Sequence, residues 1–564
     1  MMKNSQVTLT VLLLSLGGYC LYTMSSILKN WDTIIAATNT SILMIVTIFF
    51  VVVFRYKRQS KVQKIDFVQE EDKYKKRTKR MIERWGGKQQ QVQRNKPVNE
   101  MIQNRNSMTE DYTSFHDEKP RSIPIFAECE VLVVGGGPSG ISAALAAKRA
   151  GADTILMEKF GCFGGVITTV GMETIGWYRY EGTVESQGGI GIEMEKIATK
   201  MGGTVKWPYN DSQCLDADYF KIVADHLITE AGVRPILHCY AVEVMLENNQ
   251  VVGVITESKS GRLGIRAKRV IDCTGDADIA YLAGCSFRKT PKDEMLGVST
   301  IFSCSNIDKE RFLKYTEENP ATYADWGGFW TQETSGKEDQ LRTPYLDKEF
   351  RKAKELGIIP QASSIGGSWS SLTDAGEATN LNLVYMTNYD CTNIHDLTKA
   401  EMEGRKETLH AIMALKHTVP GFEKAKLRNF GMTLGGRDSR KIIGRYNLTG
   451  DDVKNQARFS DSVGIFPEFI DGYSIIILPT TGRYFEVPYG CLVPLEVDNL
   501  LVAGRCVAGD KISHAAMRNM AACTVTGQGA GIAAAISLKQ GVTTSEVDIE
   551  LVQEELIRQG VRIH

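Results

Sequence analysis

The stretch V131-LVVGGGPSGISAALAAKRAGADTILME-K159 decides the fold. A short apolar strand, Val131 to Val134, runs into Gly135, Gly137 and Gly140 in GxGxxG spacing, with Pro138 and Ser139 inside the turn. Ile141, Ala144 and Leu145 then repeat at helical period, and a second strand, Thr154 to Met157, ends at Glu158 and Lys159. This is a complete βαβ unit. The first glycine permits the tight turn, the second lets backbone N–H groups approach a pyrophosphate, and the third lets the helix pack on the strand. The helix N-terminus adds unpaired donors and the positive end of a dipole. Glu158 is placed to hydrogen-bond ribose hydroxyls, so the unit reads as a nucleotide site rather than a glycine-rich turn.

The 564 residues allow an N-terminal appendage plus a two-domain α/β enzyme. A net charge of −1 gives no global argument for nucleic acid. The twelve cysteines show neither a CxxC pair nor zinc spacing, which fits a reducing compartment, and no metal site is expected.

Two apolar runs without a charge, Val7 to Leu28 and Ile34 to Phe54, each match the hydrocarbon thickness of a bilayer. They are joined by the short connection Lys29 to Thr33, which predicts a two-helix anchor with both ends on one side. Arg55, Lys57, Arg58, Lys61 and Lys64 follow, and the positive-inside rule puts that end in the cytosol. The alternative makes the first run a signal peptide, with only Lys3 as its n-region and no small-x-small cleavage site. From Arg55 to about Pro124 the chain is polar and basic, apart from a candidate exposed helix at Glu70 to Trp85. It reads as a flexible tether, either solvated or touching anionic lipid.

Beyond Lys159, the loop Gly161-Cys162-Phe163-Gly164-Gly165 lies beside the nucleotide, and Cys162 has no partner for a dithiol mechanism. Asp216 to Ala231 predicts an amphipathic helix with Tyr219, Ile222, Val223, His226 and Leu227 inward, His226 being a core histidine. Then the period drops to two. Turns at Asn248-Asn249 and Ser260-Gly261 mark a meander whose last strand, Arg269 to Cys273, delivers Thr274-Gly275-Asp276 at a strand end, where α/β sheets gather ligands.

The fingerprint, EKFGCFGG, the meander and VIDCTGDADIAYLAG resemble the flavoproteins with the glutathione-reductase-type FAD fold. More narrowly they resemble the FAD-dependent oxidoreductase group, distantly related to fumarate reductase and succinate dehydrogenase flavoproteins. LTKAEMEGRKETLHAIMALKHTVPGFEKAKLRNFGMTLGGRDSRKIIGRYNLTGDDV (Leu397 to Val453) and the block from Val487 to Leu538 carry the same likeness. It implies FAD, with the glycines of the fingerprint, Gly164 and Gly165 near the pyrophosphate or ring, Glu158 and Lys159 near the ribose, and Gly275-Asp276 near the phosphates and ribityl. Relatives have Gly-Asp after the late strand Leu500 to Gly504. Here Gly504-Arg505 stands, with Gly509-Asp510 beyond it, which leaves Asp276, Arg505 and Asp510 open as ribityl contacts. The helix from about Met520, with Gly527, Gly529 and Gly531 for close packing, would aim its N-terminus at the flavin pyrimidine edge.

No second GxGxxG follows a strand, GGIGIE at Gly188 included, so an internal NAD(P)H domain is not expected and the electron acceptor stays unidentified. Arg437 and Arg440 in LGGRDSRKIIG, and His514 and Arg518 four apart in ISHAAMRNM, form the cationic candidates. Arginine forks suit a carboxylate and a histidine can move a proton as hydride leaves, which makes Arg437, His514 and Arg518 the catalytic candidates. The competing role for Arg437 and Arg440 is structural pairing with Asp438 and neighbouring carboxylates. His410 and His417 read as one packing face.

The expected architecture is a two-helix transmembrane anchor (1–54), a charged tether (55–124), a Rossmann-like FAD domain (125–166, 230–286 and 490–540), an inserted α+β cap or substrate domain (167–229 and 287–489) and a C-terminal tail (541–564). The expected activity is hydride transfer between a small-molecule substrate, such as a carboxylate, and flavin N5. The alternatives are an FAD-retaining membrane scaffold and a flavin-dependent RNA-modifying enzyme, the latter disfavoured by the neutral net charge.

Overall fold

The computed structural model describes residues 102–103, 114, 116–175, 187–207, 213–325, 331–332, 341–479 and 482–564. The two apolar runs, the basic cluster after them and the candidate helix at Glu70 to Trp85 lie outside the described residues.

The apolar run that opens the fingerprint forms the centre of a sheet. Its strand, Ile125–Val134, starts six residues earlier than the buried part alone predicts, because only the last four residues are buried on both faces. It pairs in parallel with Thr154–Met157 on one side and Gly261–Asp272 on the other. Arg234–Ile236 continues the sheet beyond Thr154–Met157, and Leu500–Val502 joins the carboxyl half of Gly261–Asp272, both in parallel. All five parallel strands therefore end on one edge, at Ile236, Met157, Val134, Asp272 and Val502. The meander Tyr240–Glu247 and Gln250–Ser258 pairs antiparallel with the amino half of the long strand. Its turns are where expected: Asn248 and Asn249 both adopt positive φ, the geometry of a primed hairpin turn. The last strand is longer than expected, since Arg262 and Arg266 alternate outward against carboxylates of the neighbouring strands and conceal its apolar face from a run-based reading.

Helix Pro138–Arg149 crosses the sheet and meets helix Met520–Gln540 nearly backbone to backbone. A methyl on Gly527 or Gly531 would lie 2.1 or 2.2 Å from the carbonyl oxygens of Ser139 or Ala143, so only glycine permits the approach. Gly529, on the other side, faces Val463 instead. Among the described residues Met520–Gln540 is the one helix long and apolar enough to cross a membrane, and 94% of its most apolar window is buried in this core.

Two hydrophobic clusters divide the described residues. The smaller runs from Val298 to Leu434 and belongs to a four-stranded antiparallel sheet in the order Ile365–Trp369, Ala378–Met386, Val298–Ser305, Lys426–Phe430, with helix Ile394–Thr418 against it. This α+β unit lies within the segment expected as the cap. The larger cluster holds the rest and redraws the expected boundaries. Helices Gly189–Lys200 and Ala217–Glu230 contribute Met194, Ala198, Phe220 and Val223 to it, so this part of 167–229 packs with the parallel sheet rather than with the smaller cluster. The segment 541–564 is a docked helix rather than a tail, with Val552 and Leu556 fully buried.

Helix Ala217–Glu230 is capped by Asp216 as its position suggests, but its buried face is Phe220, Val223, Ala224, Leu227 and Ile228. Tyr219, Ile222 and His226 point to solvent, which corrects the core assignment of His226. The two readings differ by one step around the helix. GGIGIE does begin a helix, but its first N–H groups are taken by the Gly560 carbonyl and the Gln528 side chain, which leaves no anion site there.

Candidate active site

Where the parallel strands end, one cavity of about 640 Å³ runs from the fingerprint into the cap. Its volume falls in the range of small-molecule and cofactor sites.

Two of the three fingerprint glycines are sterically required. Gly135 has φ +104° and a methyl there would sit 2.4 Å from the Cys273 carbonyl oxygen, while one on Gly140 would sit 1.7 Å from that of Gly135. Gly137 is the N-cap of helix Pro138–Arg149 and no side chain caps that end, so it faces the cavity with Gly135, Pro138 and Ser139. Gly165, at φ +53°, brings the second glycine loop to Gly137, where a methyl would lie 2.6 Å from its Cα. Gly164 and Gly140 do not line the cavity: the Gly164 N–H donates to the Gly136 carbonyl at 2.8 Å and ties the two loops together.

Glu158 is buried and lines the cavity. One carboxylate oxygen accepts from Gly136 N–H at 2.7 Å and the other from Phe160 N–H at 2.9 Å. It therefore braces both loops, and with about four acceptor positions on a carboxylate it keeps two for a ligand. Lys159 stands beside it, its Nζ 5.8 Å from the Tyr240 ring, and Tyr240 closes that end of the cavity.

Across the sheet, Asp272 is fully buried and holds the turn: it accepts from the N–H groups of Thr274, Ile279 and Ala280 and from the Thr274 hydroxyl. Burial pushes its carboxyl up to about 6. Asp276 lines the cavity and pairs with Arg505 at 2.7 Å, and the Ser439 hydroxyl donates to the same oxygen. The Arg505 guanidinium lies over Gly275, 2.8 Å from where a methyl would be, which explains the glycine. Asp510 is not among the lining residues. It caps helix Lys511–Met517 through Ser513 N–H at 2.7 Å and accepts from Gly450 N–H at 3.0 Å, so its carboxylate is spent on the fold. Of the three candidates, Asp276 and Arg505 are the ones that line the cavity, as a pair.

At the cap end, Arg437 and Arg518 both line the cavity. Arg518 is paired with Asp471 at 3.1 Å. Arg437 donates to Ser299 Oγ at 2.8 Å, lies 5.2 Å from the Tyr385 ring, and makes no ion pair with a carboxylate among the described residues. Burial and the Arg518 charge both pull its pKa down. The Nε atoms of Arg437, Arg505 and Arg518 are buried without a hydrogen-bond partner. Arg440 is different: it pairs with Asp278 at 2.9 Å and stacks 4.1 Å from the Tyr281 ring, outside the cavity, and so ties strand Arg440–Ile442 to helix Asp278–Leu282.

His514 does not line the cavity. It sits 3% exposed behind the arginines, Nδ1 3.0 Å from the Arg505 carbonyl oxygen and Nε2 2.9 Å from that of Arg437. Behind it lies a sealed cluster in which Asp438 accepts from Lys441 at 2.8 Å and from the Tyr473 hydroxyl. Asp438 thus pairs with Lys441 rather than with either arginine. Burial, with the Lys441 charge, pushes the imidazole down to about 4. An ordinary imidazole titrates near 6.5, so between about pH 4 and 6.5 the unfolded chain binds a proton that the folded one does not. Stability is therefore complete above pH 6.5 and falls as pH drops toward 4, by about 3 kcal/mol from this group. Urea midpoints across that range should show the loss, and His514→Gln should flatten it.

Several lining residues carry no sequence motif: Ser299, Asn380, Asn382, Tyr385, Asp347 and Asp471. A signal existed for two of them, since Asn380 and Asn382 alternate as polar residues within the otherwise apolar strand Ala378–Met386. Tyr385 accepts from Gly297 N–H at 2.8 Å, and Asp347 accepts from Gly367 N–H at 3.2 Å with its carboxyl raised by burial.

The uncapped helix end, the backbone cradle at Gly137 and Gly165, the spare acceptors of Glu158 and the unpartnered arginine nitrogens fit a long dinucleotide with anionic phosphates and a polar chain. Comparison with known proteins names it. Residues 130–556 match the FAD dependent oxidoreductase family. Thiamine thiazole synthase of Methanococcus aeolicus is 30% identical over 204 residues, 34% of this chain and 71% of that protein. Digeranylgeranylglycerophospholipid reductase 2 of Methanopyrus kandleri is 30% identical over 166 residues, 28% of this chain and only 40% of that protein. A solved geranylgeranyl bacteriochlorophyll reductase-like protein of Thermoplasma acidophilum superposes with a TM-score of 0.38 at 15% identity, over 78% of this chain and 85% of that one. The family match begins at the fingerprint strand and extends beyond the late strand and helix, and the chain accordingly belongs to the FAD dependent oxidoreductase family as an FAD-dependent enzyme.

Proposed function

We propose that the protein is a membrane-anchored oxidoreductase that transfers hydride between a small carboxylate-bearing substrate and flavin N5. The observation that carries the substrate class is Arg437, a half-buried guanidinium in the cavity wall with no carboxylate partner among the described residues. With Arg518 nearby, Asp471 between them and the Asp347 carboxyl raised by burial, the cap end of the cavity holds an excess positive charge that an anionic ligand would neutralise. Bound FAD supplies a two-electron acceptor or donor. The chain's own groups do the rest. Arg437 and Arg518 orient the carboxylate, and Ser299 and Asn382 hold Arg437 in place. Asp276 and Arg505 fix the polar chain of the cofactor, and the N-terminus of Met520–Gln540, with Asn519 and Met520 in the wall, favours negative charge. Because His514 is sealed behind the arginines, we assign the proton-holding role to Asp347, whose burial favours the protonated form.

The anchor and the cytosolic placement rest on the two apolar runs and the basic residues after the second. Alkaline carbonate extraction tests them: the full chain should stay in the membrane pellet, and release into the supernatant would remove the anchor. Anaerobic titration with small carboxylic acids and their amides tests the chemistry. One acid should bleach the flavin band while its amide does not. Bleaching by acid and amide alike would refute the carboxylate assignment.

A further inference from the structure

Helix Ile394–Thr418 has an outer face of unusual composition. Its exposed residues are Ile394, Met402, Leu409 and Met413, the cations Lys399, Arg405, Lys406 and Lys416, and His395, Thr398 and His417. No carboxylate is among them. The four acids of the helix, Asp396, Glu401, Glu403 and Glu407, are turned to its flanks and engaged by Lys292, Arg405, Lys406 and His410 at 2.7, 3.0, 3.5 and 3.3 Å. The apolar residues are not marginal: Ile394 is 68% exposed, Met402 65%, Leu409 56% and Met413 44%. At 100° per residue Met402, Leu409 and Met413 fall on one stripe, with Arg405 and Lys416 on one side of it and Lys406 on the other. An apolar stripe whose exposed rim carries cations, two of them, Arg405 and Lys406, paired with Glu401 and Glu403 on the flanks, is the pattern of a helix that lies in a bilayer interface and prefers anionic headgroups.

The helix also borders the cavity. Leu397, on its first turn, lines the cavity wall together with Tyr385, and Tyr385 is itself 38% exposed, so the cavity reaches the surface beside this end of the helix.

We propose that this face seats on an anionic lipid surface and thereby holds the cap end of the cavity against the bilayer. The argument gains from the anchor stated above. The second apolar run ends at Phe54, 48 residues before the strand Ile102–Gln103. A domain joined to a membrane anchor through a segment of that length engages the bilayer even when its own surface affinity is weak. The face itself is independent of the anchor, because it is formed wholly within the cap.

The two exposed methionines provide the readout. The full chain is reconstituted in phosphatidylcholine vesicles with and without a quarter phosphatidylserine, and hydroxyl-radical oxidation at Met402 and Met413 is followed by mass spectrometry, with exposed Met201 as internal reference. Oxidation at Met402 and Met413 should slow several-fold on the anionic vesicles, high salt should restore it, and R405E/K406E should abolish the protection. Equal oxidation on both vesicles would overturn the lipid assignment. So would protection that follows protein concentration without regard to lipid charge, which would make the face a contact between copies. Loss of the anchor alone reads differently: the chain would leave the carbonate pellet, yet Met402 and Met413 would still be protected on anionic vesicles.

Discussion

Gly137→Ala is expected to leave the protein folded and deprive it of flavin. Gly137 has φ −75° and ψ −173°, a conformation open to any residue, and a methyl there would find its nearest neighbour, the Gly165 Cα, at 3.7 Å. Nothing in the protein resists it. That methyl would instead project at the uncapped helix end, where backbone N–H groups must come within hydrogen-bond reach of the pyrophosphate. Loss of close approach at a charged diphosphate should weaken flavin binding by about a hundredfold, near 3 kcal/mol. Apo-protein of variant and wild type should unfold within about 0.5 kcal/mol of each other in urea, whereas flavin fluorescence titration should separate them. Gly140→Ala makes the contrast, because its methyl would collide with the Gly135 carbonyl and cost the fold itself about 1–3 kcal/mol or more. A Gly137→Ala protein that binds flavin normally would displace the pyrophosphate from this helix end.

Arg437→Met should raise stability and abolish turnover together. A half-buried guanidinium with its Nε sealed, held by a serine hydroxyl and an aromatic face, has lost part of its hydration, and the nearby Asp471 carboxylate is paired with Arg518. Methionine of similar length fills the space without that penalty, and exchanges of this kind are neutral or stabilising by about 1–4 kcal/mol. The function moves the other way. Losing a charge-assisted fork to a substrate carboxylate should lower kcat/KM by about a hundredfold or more. Thermal melts and the rate of substrate-driven flavin bleaching measure the two effects on one preparation. Arg518→Met should separate from it, since it leaves the Asp471 carboxylate part-buried and uncompensated and should lower the melting temperature. A fall in stability for Arg437→Met with turnover preserved would make Arg437 a structural cation.

The cofactor half of the cavity was legible because its chemistry is written in contiguous spacing. Gly135, Gly137 and Gly140 must lie within one turn to do their work, and Gly275 with Asp276 must follow a strand directly, so one-dimensional order carries the geometry. The substrate half was legible only as charge. Arg437 and Arg518 were singled out by residue type, but Ser299, Asn382, Tyr385 and Asp471 reach the same wall from separate strands and loops, and their meeting depends on cap pairings that no local pattern specifies. His514 and Asp510 show the reverse error. A histidine and an acid among glycines look like crevice residues, yet both are consumed by backbone partners that lie far away in sequence or emerge only once the helix end forms. His226 was misplaced by a single step of helical phase, where exposed Tyr219 and Ile222 imitate a core stripe.

The strand Leu500–Val502 sits beside Gly261–Asp272 although most of the cap is made between them. During synthesis at about 5–20 residues per second, the long strand therefore waits on the order of ten to fifty seconds with its carboxyl half unpaired on that side. Val270 and Ile271, both fully buried in the finished sheet, form part of that open edge. The cap, with its own hydrophobic cluster, can consolidate within the interval, but the cofactor sheet cannot close before the last segments emerge. Flavin capture is consequently a late event in the life of the nascent chain, and a premature stop between residues 430 and 500 would release a protein with a finished cap and an adhesive, cofactor-free edge.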